Sequence, residues 1–184
     1  IGAGTMGNGI AHIFAQSEYP ITLVDINPEI LEKGMNLISK NMDRQVKKNL
    51  ISEADKTRFT KYISTSTDFN SLNSCGLVIE AATENFEIKT NIFSMLDGIC
   101  NKETILASNT SSISITKIGT QTSRPDKVIG MHFMNPVPIM KLVEVVNTLH
   151  TSSQTTEKVV GLAKKMNKVP VECNDYPGFV SNRI

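Results

Sequence analysis

Ile1-Gly2-Ala3-Gly4-Thr5-Met6-Gly7, followed by Asn8 to Gln16 and then by Ile21-Thr22-Leu23-Val24-Asp25, is the stretch that decides the fold. Its glycines fall in a G-x-G-x-x-G pattern, and each has its own physical task. Gly2 lets the chain leave a strand in a tight turn. Gly4 carries no side chain to hold a pyrophosphate off the backbone, and Gly7 lets the new helix pack closely on the strand before it. A helix opening here presents free N–H groups and the positive end of its dipole to phosphates. Such spacing alone arises by chance. It gains weight from the apolar helical run Asn8–Gln16 and the β-rich run Ile21–Val24, which ends on Asp25. An acid about 20 residues past the turn suits a grip on the ribose hydroxyls of a dinucleotide. The same carboxylate repels the 2′-phosphate of NADP, and no arginine follows Asp25 directly, so NAD is the expected cofactor. Only Ile1 stands before the first glycine. The strand leading into the turn is therefore expected to begin upstream, in a longer protein.

Composition narrows the class further. A chain of 184 residues can bury a sizeable core, and 40% hydrophobic with 20% charged residues describes an ordinary globular protein. A net charge of +1 gives no electrostatic case for nucleic acid or a membrane surface. No apolar run approaches a membrane span. The three cysteines, Cys75, Cys100 and Cys173, lack the short spacings of a metal site. No metal is expected, and reduced thiols fit a cytoplasmic location.

Strand-like and helix-like segments alternate along the rest of the chain, the pattern of an α/β, doubly wound, mostly parallel sheet covered on both faces. Asn27 and Pro28 open a long helix running to about Asn49. Ser52-Glu53-Ala54-Asp55 starts another in the manner of a capping box. The two read as a helical hairpin projecting from the sheet, with a basic end at Lys47 and Lys48. Strands are expected at Ile63-Ser64, Leu77–Ala81, Thr104–Ser108, Lys127–Met131, Lys141–Val146 and Val169–Val171. The last belongs on an edge, because Pro170 has no N–H to give a ladder. Phe86 to about Ile99 reads as a helix that buries Ile88, Ile92, Met95, Leu96 and Ile99. Further helices are expected at Ile113–Ile118 and from Ser153 to about Met166. The final ten residues form a turn that enters a new helix.

Four polar clusters fall where strands give way to loops, the edge at which open α/β sheets bind ligands. They are Ala81-Ala82-Thr83-Glu84-Asn85, Ser108-Asn109-Thr110-Ser111-Ser112, Gly130 to Pro136 around His132, and the segment containing Asn182. Pro136 and Pro138 stiffen the turn after His132, and Glu144 sits on the returning strand, so the two side chains can face each other. A carboxylate on one imidazole nitrogen fixes the tautomer and frees the other nitrogen to exchange a proton with a substrate hydroxyl. Ser111 with this pair suggests either a Ser-His-Glu hydrolase or a hydrogen-bond donor to a reacting oxygen. There is no G-x-S-x-G elbow, and the glycine turn points to a redox cofactor, which favours the second. His12 and His150 read as structural or surface residues.

These motifs together resemble the 3-hydroxyacyl-CoA dehydrogenase family. The resemblance rests on Ser108-Asn109-Thr110-Ser111-Ser112, Gly130-Met131-His132-Phe133-Met134-Asn135-Pro136-Val137-Pro138, Met140 to Val145, and Pro177-Gly178-Phe179-Val180-Ser181-Asn182-Arg183. Within the family it is nearest to the short-chain 3-hydroxybutyryl-CoA dehydrogenases. It covers the whole chain; Met134 departs from the phenylalanine often found there.

The resemblance implies a Rossmann-like NAD-binding domain over residues 1–178 and, at 179–184, the start of a helical C-terminal domain that lies outside the sequence. It implies NAD-dependent oxidation of a 3-hydroxyacyl-CoA, in fatty acid oxidation or butyrate formation. His132 would be the general base and Glu144 its orienting partner, with Ser111 and Asn182 holding the reacting groups. Gly2, Gly4, Thr5, Met6 and Gly7 would hold the pyrophosphate and Asp25 the ribose. Glu84, Lys89, Ser111 and Asn135 match positions near the cofactor, and Lys48 one near the CoA phosphates. A homodimer built through the further domain is expected, and little or no turnover by this chain alone. Two rivals compete with this reading: a β-hydroxyacid dehydrogenase with a catalytic lysine, and a non-catalytic, crystallin-like or redox-sensing dinucleotide binder. The His132/Glu144 hairpin disfavours the first, and a mere binding module has no need of His132, Glu144, Ser111 and Asn182.

Overall fold

The structure is a computed structural model, and it describes residues 1–181. α1 (Thr5–Gln16) starts directly from the glycine turn, with Gly4 in the N-cap place, and β1 (Ile21–Val24) follows it. α2 (Pro28–Lys47) is capped by Asn27, whose side chain accepts the Glu29 N–H at 2.8 Å. α3 (Glu53–Thr60) carries the reciprocal box: Ser52 Oγ accepts the Asp55 N–H, and the Asp55 carboxylate accepts the Ser52 N–H. The hairpin forms, but it is anchored rather than simply projecting. Leu31, Ile38 and Met42 of α2 and Phe59 of α3 are buried in one cluster with Ala3, Ala11 and Leu23.

The chain continues through β2 (Ile63–Ser66), β3 (Leu77–Glu80), α4 (Phe86–Ile99), β4 (Ile105–Ser108), α5 (Ile115–Gly119), β5 (Val128–Phe133), β6 (Leu142–Asn147), α6 (Ser153–Lys165) and β7 (Val169–Asn174). β1 and β2 pair in parallel, and a larger sheet runs β3-β4-β5-β6-β7. Within that sheet only β5 and β6 are antiparallel. β7 lies on the edge, as Pro170 requires. Ile1 and Gly2 stitch the two groups together: Gly2 N–H donates to Val24 at 2.8 Å, Ile1 N to Ile79 at 2.7 Å, and Ala81 N–H to Ile1 at 2.8 Å. The order of strands reverses around this point, and such a reversal is where α/β sheets take ligands.

Helices cover both faces. α1 and α6 bury Ile10, Ile13, Phe14, Val159 and Ala163 against Ile129, Met131, Val143 and Val145. α4 and α5 bury Phe93, Leu96, Ile115 and Ile118 against Val78, Leu106, Val128 and Val146. β4 and β5 are consequently buried along their whole length, which explains their nearly unbroken apolar sequence.

One expectation is overturned. The inward face of α4 is Lys89, Phe93 and Leu96, whereas Ile88 is 43% exposed and Met95 37%. Leu96 faces inward as expected and Ile92 packs partly buried against the core, but Ile88 and Met95 do not, because a lysine occupies an interior position, where it meets a buried acid. β5 also runs two residues beyond the expected Met131, which sets His132 in the ladder itself. Among the described residues no helix is long and apolar enough to cross a membrane.

Candidate active site

The glycine turn is built as its spacing demands. Gly2 has φ of 86°, and a Cβ there would stand 2.7 Å from the Ala81 carbonyl oxygen. A Cβ on Gly7 would meet the Gly2 carbonyl oxygen at 1.7 Å, so α1 can lie this close to the turn only with glycine. Gly4 differs from both, since nothing lies within 4 Å of where its Cβ would be. α1 has no side-chain cap and no acid in its first turn. Open space beside Gly4 and an uncapped helix start make a cradle that fits the pyrophosphate of a dinucleotide. Asp25, at the tip of β1, is aimed by the turn: its Oδ2 accepts the Ala3 N–H at 2.8 Å and its Oδ1 the Asn27 N–H at 3.1 Å. Each oxygen keeps a lone pair for a ribose hydroxyl.

Next along the edge lies a buried ionic group. Glu80, at the end of β3, is 0% exposed and Lys89, one turn into α4, is 1% exposed. Lys89 Nζ donates to Glu80 Oε1 at 2.7 Å and stands 3.4 Å from Glu84 Oε2. Glu80 also accepts the Ala82 N–H and the Ser108 hydroxyl, each at 2.7 Å. Glu84 in turn accepts the Thr110 hydroxyl, the Ser111 N–H at 3.0 Å and the Ser112 N–H at 3.3 Å. Burial works against its charged form, but these donors and the Lys89 ammonium outweigh it and hold its pKa below the usual value.

The third part sits on the antiparallel pair. His132 of β5 and Glu144 of β6 are register partners, and His132 Nδ1 meets Glu144 Oε2 at 2.7 Å. Ser111 Oγ lies 3.1 Å from the other ring nitrogen, Nε2. Glu144, 1% exposed, is held from its far side by the segment after β7. Its Oε1 accepts the Val180 and Ser181 N–H groups at 3.0 and 2.8 Å, and its Oε2 accepts the Ser181 hydroxyl at 2.9 Å. Burial again opposes the charge, and the bonds from His132, Ser181 and Val180 win, lowering the Glu144 pKa. The Phe179 ring lies 5.8 Å from the imidazole, centroid to centroid.

Serine, histidine and glutamate in line have the outline of a nucleophilic triad. The surroundings do not suit acyl transfer. An oxyanion hole needs free N–H groups beside the nucleophile, and those of Ser111 and Ser112 are already taken by the Glu84 carboxylate. That carboxylate would also repel an oxyanion.

Of the expected residues, His132, Glu144, Ser111 and Glu84 come together, and Lys89 adjoins Glu84 from inside the protein. Asn135 is exposed in the turn after β5, and Lys48 is the exposed C-cap of α2. Asn182 lies outside the described residues. His12 is buried, with Nε2 3.3 Å from Gln45 Oε1, and His150 is exposed. Glu80 lies outside the four polar clusters, and Ser108, Thr110 and Ser181 lie within them but without an expected role of their own. Glu80 had a legible signal, an acid ending the apolar run Leu77-Val78-Ile79; the others are small hydroxyls whose partners only the fold reveals.

The chain belongs to the 3-hydroxyacyl-CoA dehydrogenase family: residues 1–176 match that family's NAD-binding domain, and NAD is accordingly its cofactor. It is similar to a probable 3-hydroxybutyryl-CoA dehydrogenase of Bacillus subtilis (strain 168), at 48% identity over 100% of this chain and 64% of that protein. The 3-hydroxybutyryl-CoA dehydrogenase of Clostridioides difficile is 46% identical, over 100% of this chain and 66% of the relative. The crystal structure of (S)-3-hydroxybutyryl-CoA dehydrogenase PaaH1 from Ralstonia eutropha superposes with a TM-score of 0.98 at 47% identity, covering 100% of this chain and 65% of that one. The chain thus spans 64–66% of the length of these relatives.

Proposed function

We propose that the protein interconverts (S)-3-hydroxyacyl-CoA and 3-oxoacyl-CoA with NAD, its short-chain pair being 3-hydroxybutyryl-CoA and acetoacetyl-CoA, in fatty acid oxidation or butyrate metabolism. The observation that carries this reading is the line Ser111 Oγ, His132 and Glu144 at 3.1 and 2.7 Å, on the same sheet edge as the glycine turn. Glu144 accepts the hydrogen bond of the Nδ1–H, which keeps the proton on that nitrogen and leaves the Nε2 lone pair to take the proton of the substrate 3-hydroxyl. The carboxylate then stabilises the imidazolium that forms. Ser111, beside Nε2, holds the reacting oxygen in place. Bound NAD would supply the acceptor for the C3 hydride.

Gly2, Gly4, Thr5, Met6 and Gly7 hold the pyrophosphate in this reading, and Asp25 the ribose. Glu84 and Asn135 border the cofactor; Lys89, being buried, acts on it through Glu84. Asn182 completes the substrate side, and Lys48 meets the CoA phosphates. The dinucleotide domain ends near residue 178, and residues beyond this sequence join a cytoplasmic homodimer. Sedimentation of the protein at its full natural length as a monomer would remove the last point.

The decisive test is His132→Gln in the protein at its full natural length, assayed with acetoacetyl-CoA and NADH. Loss of the base is expected to lower kcat about 10²–10⁴-fold with NAD binding kept. Unchanged turnover would show that His132 is not the base. Tight NAD binding with no turnover in the unmutated protein would support the non-catalytic binder instead.

A further inference from the structure

The segment that leaves β7 does more than connect. Its Asp175 accepts the Ser114 hydroxyl at 2.8 Å and the N–H groups of Ile115 and Thr116 at 3.1 and 2.7 Å, which ties the start of the segment to α5. From there the backbone returns over the sheet edge, and three donors from Val180 and Ser181 close on Glu144. Two of these are backbone N–H groups on Oε1. The third, the Ser181 hydroxyl, shares Oε2 with His132 Nδ1, so one carboxylate oxygen serves both groups. A donor on that oxygen draws electron density away from the bond to the ring. The less of the carboxylate charge the ring feels, the less its protonated form is favoured.

We propose that Ser181 is a positioning residue of the His132–Glu144 pair: its hydroxyl, held on the oxygen that faces the imidazole, sets how strongly Glu144 favours the protonated ring. The inference rests on His132 being the base. The only chemistry it invokes is the proton already assigned to His132 Nε2, and Ser181 itself need not touch the substrate.

The surroundings allow the effect to be read cleanly. From β7, Cys173 faces Glu144, and burial first, then the charges of Glu144 and Asp175, push its thiol up to about 11, so it stays uncharged at working pH. From the β4 side, Ser111 touches the ring, with the Glu84 carboxylate behind it. From the exit segment itself the Phe179 ring packs on the imidazole and carries no charge.

The experiment follows the imidazole Cε1–H signals by NMR through a pH titration of the protein at its full natural length, without cofactor or substrate. His132→Gln identifies the His132 signal by its disappearance from the spectrum. Ser181→Ala is expected to move the His132 midpoint to higher pH by about half a unit, leaving His12 and His150 in place, and Ser181→Thr is expected to bring it back. In the same variants the acidic limb of kcat/KM for hydroxyacyl oxidation should move in step, with turnover at the optimum kept within about tenfold. An unmoved midpoint in Ser181→Ala, or equal losses of activity at every pH, would overturn the proposal and mark Ser181 as structural only. If the midpoint moves while His132→Gln still turns over, it is the assignment of the base that falls. Failure of Ser181→Thr to restore the midpoint would also count against the hydroxyl.

Discussion

Glu80 and Glu144 are both buried acids on strands of the larger sheet, yet their surroundings give them different sensitivities. Glu80 is matched by a buried ammonium, and removing one member of such a pair leaves the other without its counter-charge. Lys89→Met is therefore expected to cost about 3–5 kcal/mol in urea denaturation, and adding Glu80→Gln to recover part of it. An equal loss in single and double variants would show that the two charges do not depend on each other. Glu144 and Glu84 have folded-state pKa values below the ordinary 4.5. A lowered carboxylate contributes stability in full above its unfolded value, and that contribution falls away as pH drops through the folded value. The share of stability owed to these two carboxylates should hold from neutrality to about pH 5 and decline on further acidification, and Glu144→Gln should flatten that part of the decline. Denaturant midpoints at a series of pH values would measure this.

Among elements, α1 and α2 meet through His12, Gln45 and Gln16, whose Nε2 donates to Gln45 Oε1 at 2.9 Å. Burial lowers the His12 pKa to about 4; the Gln45 bond opposes this and the Lys168 charge adds to it. The unfolded chain, with a value of 6.5, then binds the proton more readily. Stability should fall as pH drops from about 6.5 to 4, by up to about 3 kcal/mol, and His12→Leu should remove that slope. In α4, Phe93→Ala is expected to cost about 3–5 kcal/mol, while Ile88→Lys at the half-exposed neighbour should cost little. A large loss from Ile88→Lys would restore the stripe that the sequence suggests. This helix also shows where reading the sequence runs out. Caps at Asn27 and Ser52, the edge strand with Pro170 and the His132/Glu144 hairpin are local patterns, and each is found as expected. Lys89 points inward because Glu80 lies nine residues away in sequence but directly beneath it in space, and no helical periodicity can report that. The clasp of residues 180–181 on Glu144 spans 36 and 37 residues and is equally invisible before folding.

Across the whole molecule, backbone bonds of Ile1 and Gly2 link β1 to β3. Hydrogen exchange should be faster at β2, none of whose residues is fully buried, than at β4 and β5, which are buried along their length. Uniform protection would mean that the two groups open together. The hairpin of β5 and β6 has a different consequence. His132 and Glu144 face each other because they occupy one rung of an antiparallel ladder. The connection between them, residues 134–141, is pinned separately, by Lys168 Nζ donating to the Val137 and Met140 carbonyls at 2.6 and 2.8 Å. Proton chemistry and the overhanging loop are thus independently adjustable parts. Two glycines inserted after Ile139 should leave the His132 NMR titration where it was, so the loop can change in length without the base having to be evolved again.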